Sequence, residues 1–227
     1  MKKILVIGGS RGIGKAIVTS LIGENEVINI SRSNTLEPHQ NLTHFSLDIL
    51  TDDLPIIEEI DSLIYCPGSI NLKPIARLKL DDFRADFEIN VVGAVKAVQH
   101  FLPSLKKGTK PSILLFSTVA VKLGMPFHAS IAAAKAGVEG LTKSLGAELA
   151  PLIRVNAIAP TVTNTDLASK LLRNERMMEN ITERHPLKKY LQPQEVADMA
   201  TFLISEKAAS MSGQIFELDC GIVSFKI

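Results

Sequence analysis

A single α/β domain, built on a doubly wound parallel sheet flanked by helices, is the fold this chain predicts. Three observations carry that expectation. Strand-like and helix-like segments alternate from end to end. The strand-like ones are continuous apolar runs such as Ile4-Leu5-Val6-Ile7, suited to strands covered on both faces. No internal repeat, low-complexity tract or Pro/Ser-rich linker divides the 227 residues, a length that fits one large domain with a substantial core.

Ile4 to Ile7 reads as the first strand and Gly12 to Ile22 as the helix after it. Val27 to Ile30, His44 to Leu47 and Ser62 to Tyr65 follow as strands, with Asn34 to Asn41 too polar and too Pro-interrupted for a helix. Leu80 to Leu102 carries helical spacing in Phe83, Phe87, Val91, Ala94, Val98 and Phe101, and Pro103 is expected to end it. Ser112 to Ser117 is a fifth strand. The helix Ala129 to Ala150 repeats the spacing in Ile131, Ala134, Val138, Leu141 and Leu145 before Pro151, and Arg154 to Ile158 is a sixth strand. Pro160 to Pro186 is long, polar and charged, which predicts a mobile excursion over a site, a lid at 161–186. Pro193-Gln194-Glu195 opens another helix, and Ile215 to Leu218 closes the sheet.

Composition narrows the function. Apolar residues make up 46% and charged ones 22%, fractions that exclude a disordered or fibrous chain. Twenty-five basic against 24 acidic side chains leave a formal charge of +1, too weak a field to hold nucleic acid or an anionic membrane surface. Cys66 and Cys220 stand far apart with no CxxC or Cys/His spacing, so neither a disulfide framework nor a metal site is expected, and a reducing cytoplasm is the default. The apolar run after Met1-Lys2-Lys3 stops at Gly8 with no cleavage site, so it reads as a strand rather than a signal peptide. No stretch approaches the roughly 18 apolar residues of a membrane span.

The chemistry starts at Gly8-Gly9-Ser10-Arg11-Gly12-Ile13-Gly14, which joins the first strand directly to a helix. Such a turn aims unpaired backbone N–H groups and the positive end of a helix dipole at one point, where a phosphate or pyrophosphate binds. A plain glycine-rich turn is the alternative.

The spacing Gly8-x-x-x-Gly12-x-Gly14 resembles the glycine loop of the short-chain dehydrogenase/reductase family, with Ile7 where the family has Thr. The resemblance extends over nearly the whole chain. It takes in Asp48, Gly68, Asn90, Ser117-Thr118, Lys135 within Ala-Ala-Ala-Lys-Ala-Gly, Arg154-Val-Asn-Ala-Ile-Ala-Pro160, Gln192-Pro-Gln-Glu-Val-Ala-Asp and Asp219-Cys-Gly. It implies a Rossmann-type fold, a nicotinamide dinucleotide, a small-molecule alcohol or carbonyl as substrate, and a homodimer or homotetramer packed through the Asn90 and Lys135 helices. Small residues such as Ala132, Ala136 and Gly140 would allow that close approach.

An acidic residue ending the second strand would select NAD, whereas a 2′-phosphate needs cations and hydroxyls. Here stand Ser31-Arg32-Ser33, with Arg11 in the glycine loop, which favours NADP(H) unless both arginines are only solvated surface charges. By resemblance Asp48 would accept from the adenine amino group with Ile49 beside it, though it reads equally as a turn or cap aspartate. Gly68 would let the backbone pass close to the cofactor. Pro160-Thr161 replaces the family's Pro-Gly, with Thr163 and Thr165 placed for the nicotinamide carboxamide and a phosphate, or for their own loop backbone.

The catalytic positions depart from the family. Members pair Ser with Tyr-x-x-x-Lys and an upstream Asn, the tyrosine giving a proton to the carbonyl that receives hydride. Lys135 is present and Asn90 keeps its position, but Thr118 takes the serine position and Ile131 the tyrosine position. Isoleucine has no proton to give. Ile131 either extends an apolar stripe, or leaves His128, Thr118, Lys135 or water as the acid, or marks a site without redox chemistry. His128 reads also as a surface histidine. The resemblance thus implies an NADP(H)-dependent carbonyl reductase or alcohol dehydrogenase with an altered proton relay. A lyase or isomerase on the same fold, and a catalytically silent nucleotide-binding regulator, stand beside it.

Overall fold

Seven strands form one parallel sheet in the computed structural model, which describes residues 1–225; the last two residues of the expected 1–227 domain lie outside the described residues. They are β1 (Lys3–Ile7), β2 (Glu26–Ser31), β3 (Leu42–Ser46), β4 (Ser62–Tyr65), β5 (Ser112–Phe116), β6 (Arg154–Pro160) and β7 (Ile215–Leu218). Their spatial order is β3-β2-β1-β4-β5-β6-β7. The chain therefore winds one way from β1 to β3, then crosses back over β1 to lay β4 on its other side, Ile7 pairing with Ile30 and with Tyr65. A crevice opens outside the carboxyl ends of the strands where the order reverses, the place where ligands sit in such sheets.

The continuous apolar runs are explained by two buried faces. Leu5, Ile7, Ile28 and Leu63 pack on one side with Val91, Ala94, Phe101 and Val138, whereas Ile4, Val6, Val27 and Ile64 pack on the other with Ile17, Val18, Val196 and Ala200. Alternate side chains of each strand point to opposite faces, so both parities must be apolar. The first face is covered by α3 (Gly93–Leu105) and α4 (Ala129–Leu149), with α2 (Leu80–Phe87) packed on α4, and the second by α1 (Gly12–Leu21) and α6 (Pro193–Ile204). α6 starts as expected, with Pro193 in its first turn and the Glu195 carboxylate accepting from the Gln192 N–H at 2.9 Å.

The long helix differs from its sequence reading in two ways. It runs past Pro103 to Leu105, because a proline this close to the end removes a single ladder bond while Phe101 and Leu105, both fully buried, hold the last turn to the sheet. It also widens at Glu88–Val92 into a π-turn between α2 and α3. The buried Tyr65 hydroxyl donates to the Ile89 carbonyl inside that turn at 2.7 Å.

The segment between β6 and α6 is more structured than a bare excursion. It holds a short 3-10 turn at Asp166–Ala168 and a helix, α5 (Glu175–Arg184), whose first turn is capped by Asn174. Buried His185 ties α5 to the end of β6. Its Nδ1 donates to the Ile181 carbonyl at 2.6 Å, and its Nε2 hydrogen-bonds the Thr161 hydroxyl at 2.7 Å.

Candidate cofactor and active site

A cleft of about 930 Å³ occupies the crevice. Its floor is the glycine turn. Gly8 has φ +81°, and a Cβ at Gly14 would lie 2.2 Å from the Gly8 carbonyl oxygen, so the β1–α1 corner closes this tightly only without side chains. Arg11 stands at the N-cap without capping α1, and the first turn carries no acid. The first amides of α1 are thus left to an anion.

One wall comes from the end of β2. The Ser10 hydroxyl bonds to Ser31 Oγ and to the Ser33 carbonyl, and Asn29 beneath them accepts from the Gly9 N–H at 2.9 Å and donates to Ser31 Oγ at 3.1 Å. This network fixes the glycine turn against β2. Arg11 and Arg32 are exposed on the cleft, and neither belongs to an ion pair among the described residues. Asp48 and Ile49 form the next part of the wall, Asp48 accepting from the Leu50 N–H at 2.9 Å and so closing its own turn.

The opposite end converges on Gly68. A Cβ there would meet Asn90 Oδ1 at 3.1 Å and Lys135 Nζ at 3.4 Å, which puts both side chains against the β4 turn. The Lys135 ammonium donates to the Phe116 carbonyl at 2.8 Å, and burial holds its pKa down to about 8. Cys66 lines the cleft beside it with its thiol pushed up to about 12 by burial, an unreactive protonated form at neutral pH. Burial likewise raises the Tyr65 phenol, whose hydroxyl already serves the π-turn, so Tyr65 stands in for no missing acid.

Gly8, Ser10, Arg11, Gly12, Ile13, Gly14, Ser31, Arg32, Ser33, Asp48, Ile49, Gly68 and Thr165 all line this one cleft. Asn90 and Lys135 join it through Gly68. Ile131 is buried one turn before Lys135 on α4. Thr118 follows the end of β5, its hydroxyl accepting from the Ala120 N–H at 3.3 Å. His128 stands at the N-cap of α4 without capping it, its Nδ1 donating instead to the Pro126 carbonyl at 2.7 Å, and it does not line the cleft. Pro160 and Thr163 stand back from the cleft. Thr163 is buried and donates to the Thr161 carbonyl at 3.0 Å, and Thr165 caps the 3-10 turn, so both hydroxyls do serve their own loop.

Sequence reasoning missed Ser69 and Asp86, which also line the cleft. Asp86 had a readable signal: it precedes Asn90 by one helical turn, which puts an acid on the same buried face. Among the described residues no group of three or more His, Cys, Asp or Glu is arranged to hold a metal, and no helix is long and apolar enough to cross a membrane.

Residues 53–223 match the family model described as enoyl-(acyl carrier protein) reductase. A 3-oxoacyl-[acyl-carrier-protein] reductase of Synechocystis is 33% identical, over 97% of this chain and 96% of that protein. A short chain dehydrogenase family protein from Francisella tularensis superposes with a TM-score of 0.89 at 25% identity, over 99% of this chain and 100% of that one. A 4-hydroxyisoleucine dehydrogenase complexed with NADH gives 0.87 at 25% identity, over 100% of both chains.

Proposed function

The chain belongs to the short-chain dehydrogenase/reductase family, and from that premise we propose that it is an NADP(H)-dependent reductase of a small-molecule carbonyl, or dehydrogenase of the alcohol, with an altered proton relay. One observation carries the reading. A single cleft runs from an uncapped helix N-terminus, past two serines and two arginines with no ion pair among the described residues, to Gly68, which has a half-buried lysine and a buried asparagine against it.

The residues fit a phosphorylated dinucleotide. The α1 amides face a pyrophosphate. Arg11, Arg32, Ser31 and Ser33 offer cations and hydroxyls to a 2′-phosphate, and β2 ends on Ser31 rather than on a carboxylate. Lys135 has one ammonium proton engaged by Phe116 and the others free for ribose hydroxyls. When bound, the nicotinamide supplies hydride. Thr118 orients the carbonyl oxygen from the end of β5, and a water in reach of the Lys135 ammonium gives the product oxygen the proton that Ile131 lacks, the lysine resupplying that water and recovering its own proton from solvent. The apolar Ile131 makes the wall beside the substrate less polar, which suits an acyl chain, and 3-oxoacyl thioesters head the carbonyls to test because the Synechocystis relative bears that name. The 161–186 segment, whose Thr165, Asp166 and exposed Leu167 line the cleft, is read as its lid. Cys66 and Cys220 are free thiols, in keeping with a reducing cytoplasm.

Calorimetric titration with NADPH and NADH, followed by a carbonyl panel read by nicotinamide absorbance, tests this. NADPH binds at least about tenfold tighter and is consumed only with carbonyl present. Ile131 favours a second reading, a cofactor-binding regulator without turnover; tight NADPH binding with no consumption on any carbonyl would support it instead.

A further inference from the structure

His44, on the edge strand β3, ends a chain of hydrogen bonds that starts at the glycine turn. Asn29 stands at the centre of that chain, fully buried on β2, with His44 directly opposite in the parallel pair. The Asn29 Oδ1 accepts from the Gly9 N–H at 2.9 Å, and a Cβ at residue 9 would lie 2.6 Å from that oxygen, so a glycine lets the amide close on the turn. A backbone N–H needs an oxygen opposite it, which fixes which way round the Asn29 amide sits. Its Nδ2 then donates to Ser31 Oγ at 3.1 Å and faces His44 Nδ1 at 3.0 Å. A second donor has no place there. His44 Nδ1 is therefore the bare acceptor of a neutral ring, whose proton sits on Nε2, 3.1 Å from Ser46 Oγ.

A proton added at His44 Nδ1 sets two N–H donors against each other. Asn29 must then move, and the Gly9 amide and Ser31 Oγ, both held by it in the wall and floor of the cleft, move with it. We propose that His44 is a positioning residue for the dinucleotide: neutral, it holds the glycine turn and Ser31 in their binding shape through Asn29, and protonated, it releases them. The proposal rests on the reading of this cleft as a dinucleotide site. Protonation competes with binding because a free turn relaxes around the charged ring, whereas a turn with a pyrophosphate on the α1 amides is locked. The groups that meet the ring are neutral, Asn29 from β2 and Ser46 from β3 itself. No ion pair among the described residues includes His44, and burial alone lowers its pKa from the ordinary 6.5.

The test needs no turnover. NAD⁺ is the probe, because it survives acid and lacks the 2′-phosphate, which itself titrates near about pH 6. It is titrated calorimetrically between about pH 7.5 and 5 into wild type, His44→Gln and His44→Leu, with thermal melts at each pH to check the fold. Wild type should lose affinity below pH 6.5, approaching about tenfold per pH unit, since one proton competes with the ligand. His44→Gln keeps an acceptor for Asn29 that does not titrate, so it should match wild type at neutral pH and show no fall in acid. His44→Leu should bind about tenfold more weakly at every pH. A flat wild-type profile would overturn the proposal, as would a fall that persists in His44→Gln. A rise in acid overturns it too, and makes His44 a further cation for the phosphates. Should neither variant fold, wild type decides by NMR of the ring nitrogens: His44 carries its proton on Nε2 at neutral pH, and saturating NAD⁺ lowers its pKa further, whereas an unchanged pKa overturns the proposal. Binding without pH dependence refutes this proposal alone. A wild type that binds neither NAD⁺ nor NADPH at neutral pH refutes the dinucleotide reading itself, and the proposal with it.

Discussion

The Lys135 ammonium donates to the Phe116 carbonyl across 2.8 Å, tying α4 to the last residue of β5 at the mouth of the cleft. With Ile131 one turn away there is no phenol for the lysine to acidify, so its remaining protons are free for the cofactor. Lys135→Ala should weaken NADPH binding about tenfold, as a charged hydrogen bond does.

The same lysine sets a pH dependence. Burial holds its pKa at about 8 against an ordinary 10.5, so the charged donor is complete below pH 8 and is lost as pH rises through it. Titrations should show NADPH affinity falling above about pH 8 in wild type and flat there in Lys135→Met. Fold stability runs the other way. Between about 8 and 10.5 the unfolded chain binds more protons at this site, so the lysine's burial cost fades as pH rises, and denaturant melts should show that gain only in wild type.

Arg32→Ala should lower NADPH affinity about tenfold and leave NADH unchanged if the exposed guanidinium reads the 2′-phosphate, as proposed. The contact is solvent-screened, so the effect should shrink with added salt. Equal losses for both cofactors would mean Arg32 shapes the cleft rather than reads the phosphate.

Tyr65 and Gly93 should be energetically coupled. A Cβ at Gly93 would lie 2.2 Å from the Tyr65 hydroxyl oxygen. Gly93→Ala should cost about 1 to 3 kcal/mol through overpacking. Tyr65→Phe costs about 1 kcal/mol for the bond lost to Ile89, but in that background the alanine should cost less. Additive costs in a denaturant double-mutant cycle would contradict the contact.

A groove of about 430 Å³ between α2 and α4 is lined by Phe83, Phe87 and Ala133, with Phe87 47% exposed. An aromatic so placed fits an interface between copies of the chain. Light scattering at micromolar concentration should give a dimer or tetramer, and Phe87→Glu a smaller species; a wild-type 24.7 kDa monomer would remove the expectation.

Much of the fold was legible because local signals agreed with tertiary ones. Ile4-Leu5-Val6-Ile7 is apolar at both parities, so only a strand covered on two faces suits it, and Pro193 with Glu195 marks a helix start in chemical terms. What escaped depends on contacts distant in sequence. Pro103 is a local stop signal overridden by the burial of Phe101 and Leu105, and the π-turn at Glu88–Val92 is met by the Tyr65 hydroxyl, 24 residues upstream of Ile89. At the site, glycine spacing and the Ser31-Arg32-Ser33 run can be read directly. The contact of Ser69 with Asp86 and Asn90 cannot, since it joins the turn after β4 to a helix 17 and 21 residues further along the chain.

The most direct test of the account is the rate of carbonyl-dependent NADPH oxidation by wild type and Ile131→Tyr side by side, on the best substrate of the panel. A positioned general acid contributes roughly 10²- to 10⁴-fold. Wild type should turn over slowly but measurably, and Ile131→Tyr should gain up to that size, since Asn90 and Lys135 already stand together against Gly68. A wild type that binds NADPH yet oxidises none with any carbonyl, and that stays silent with tyrosine at position 131, would contradict it.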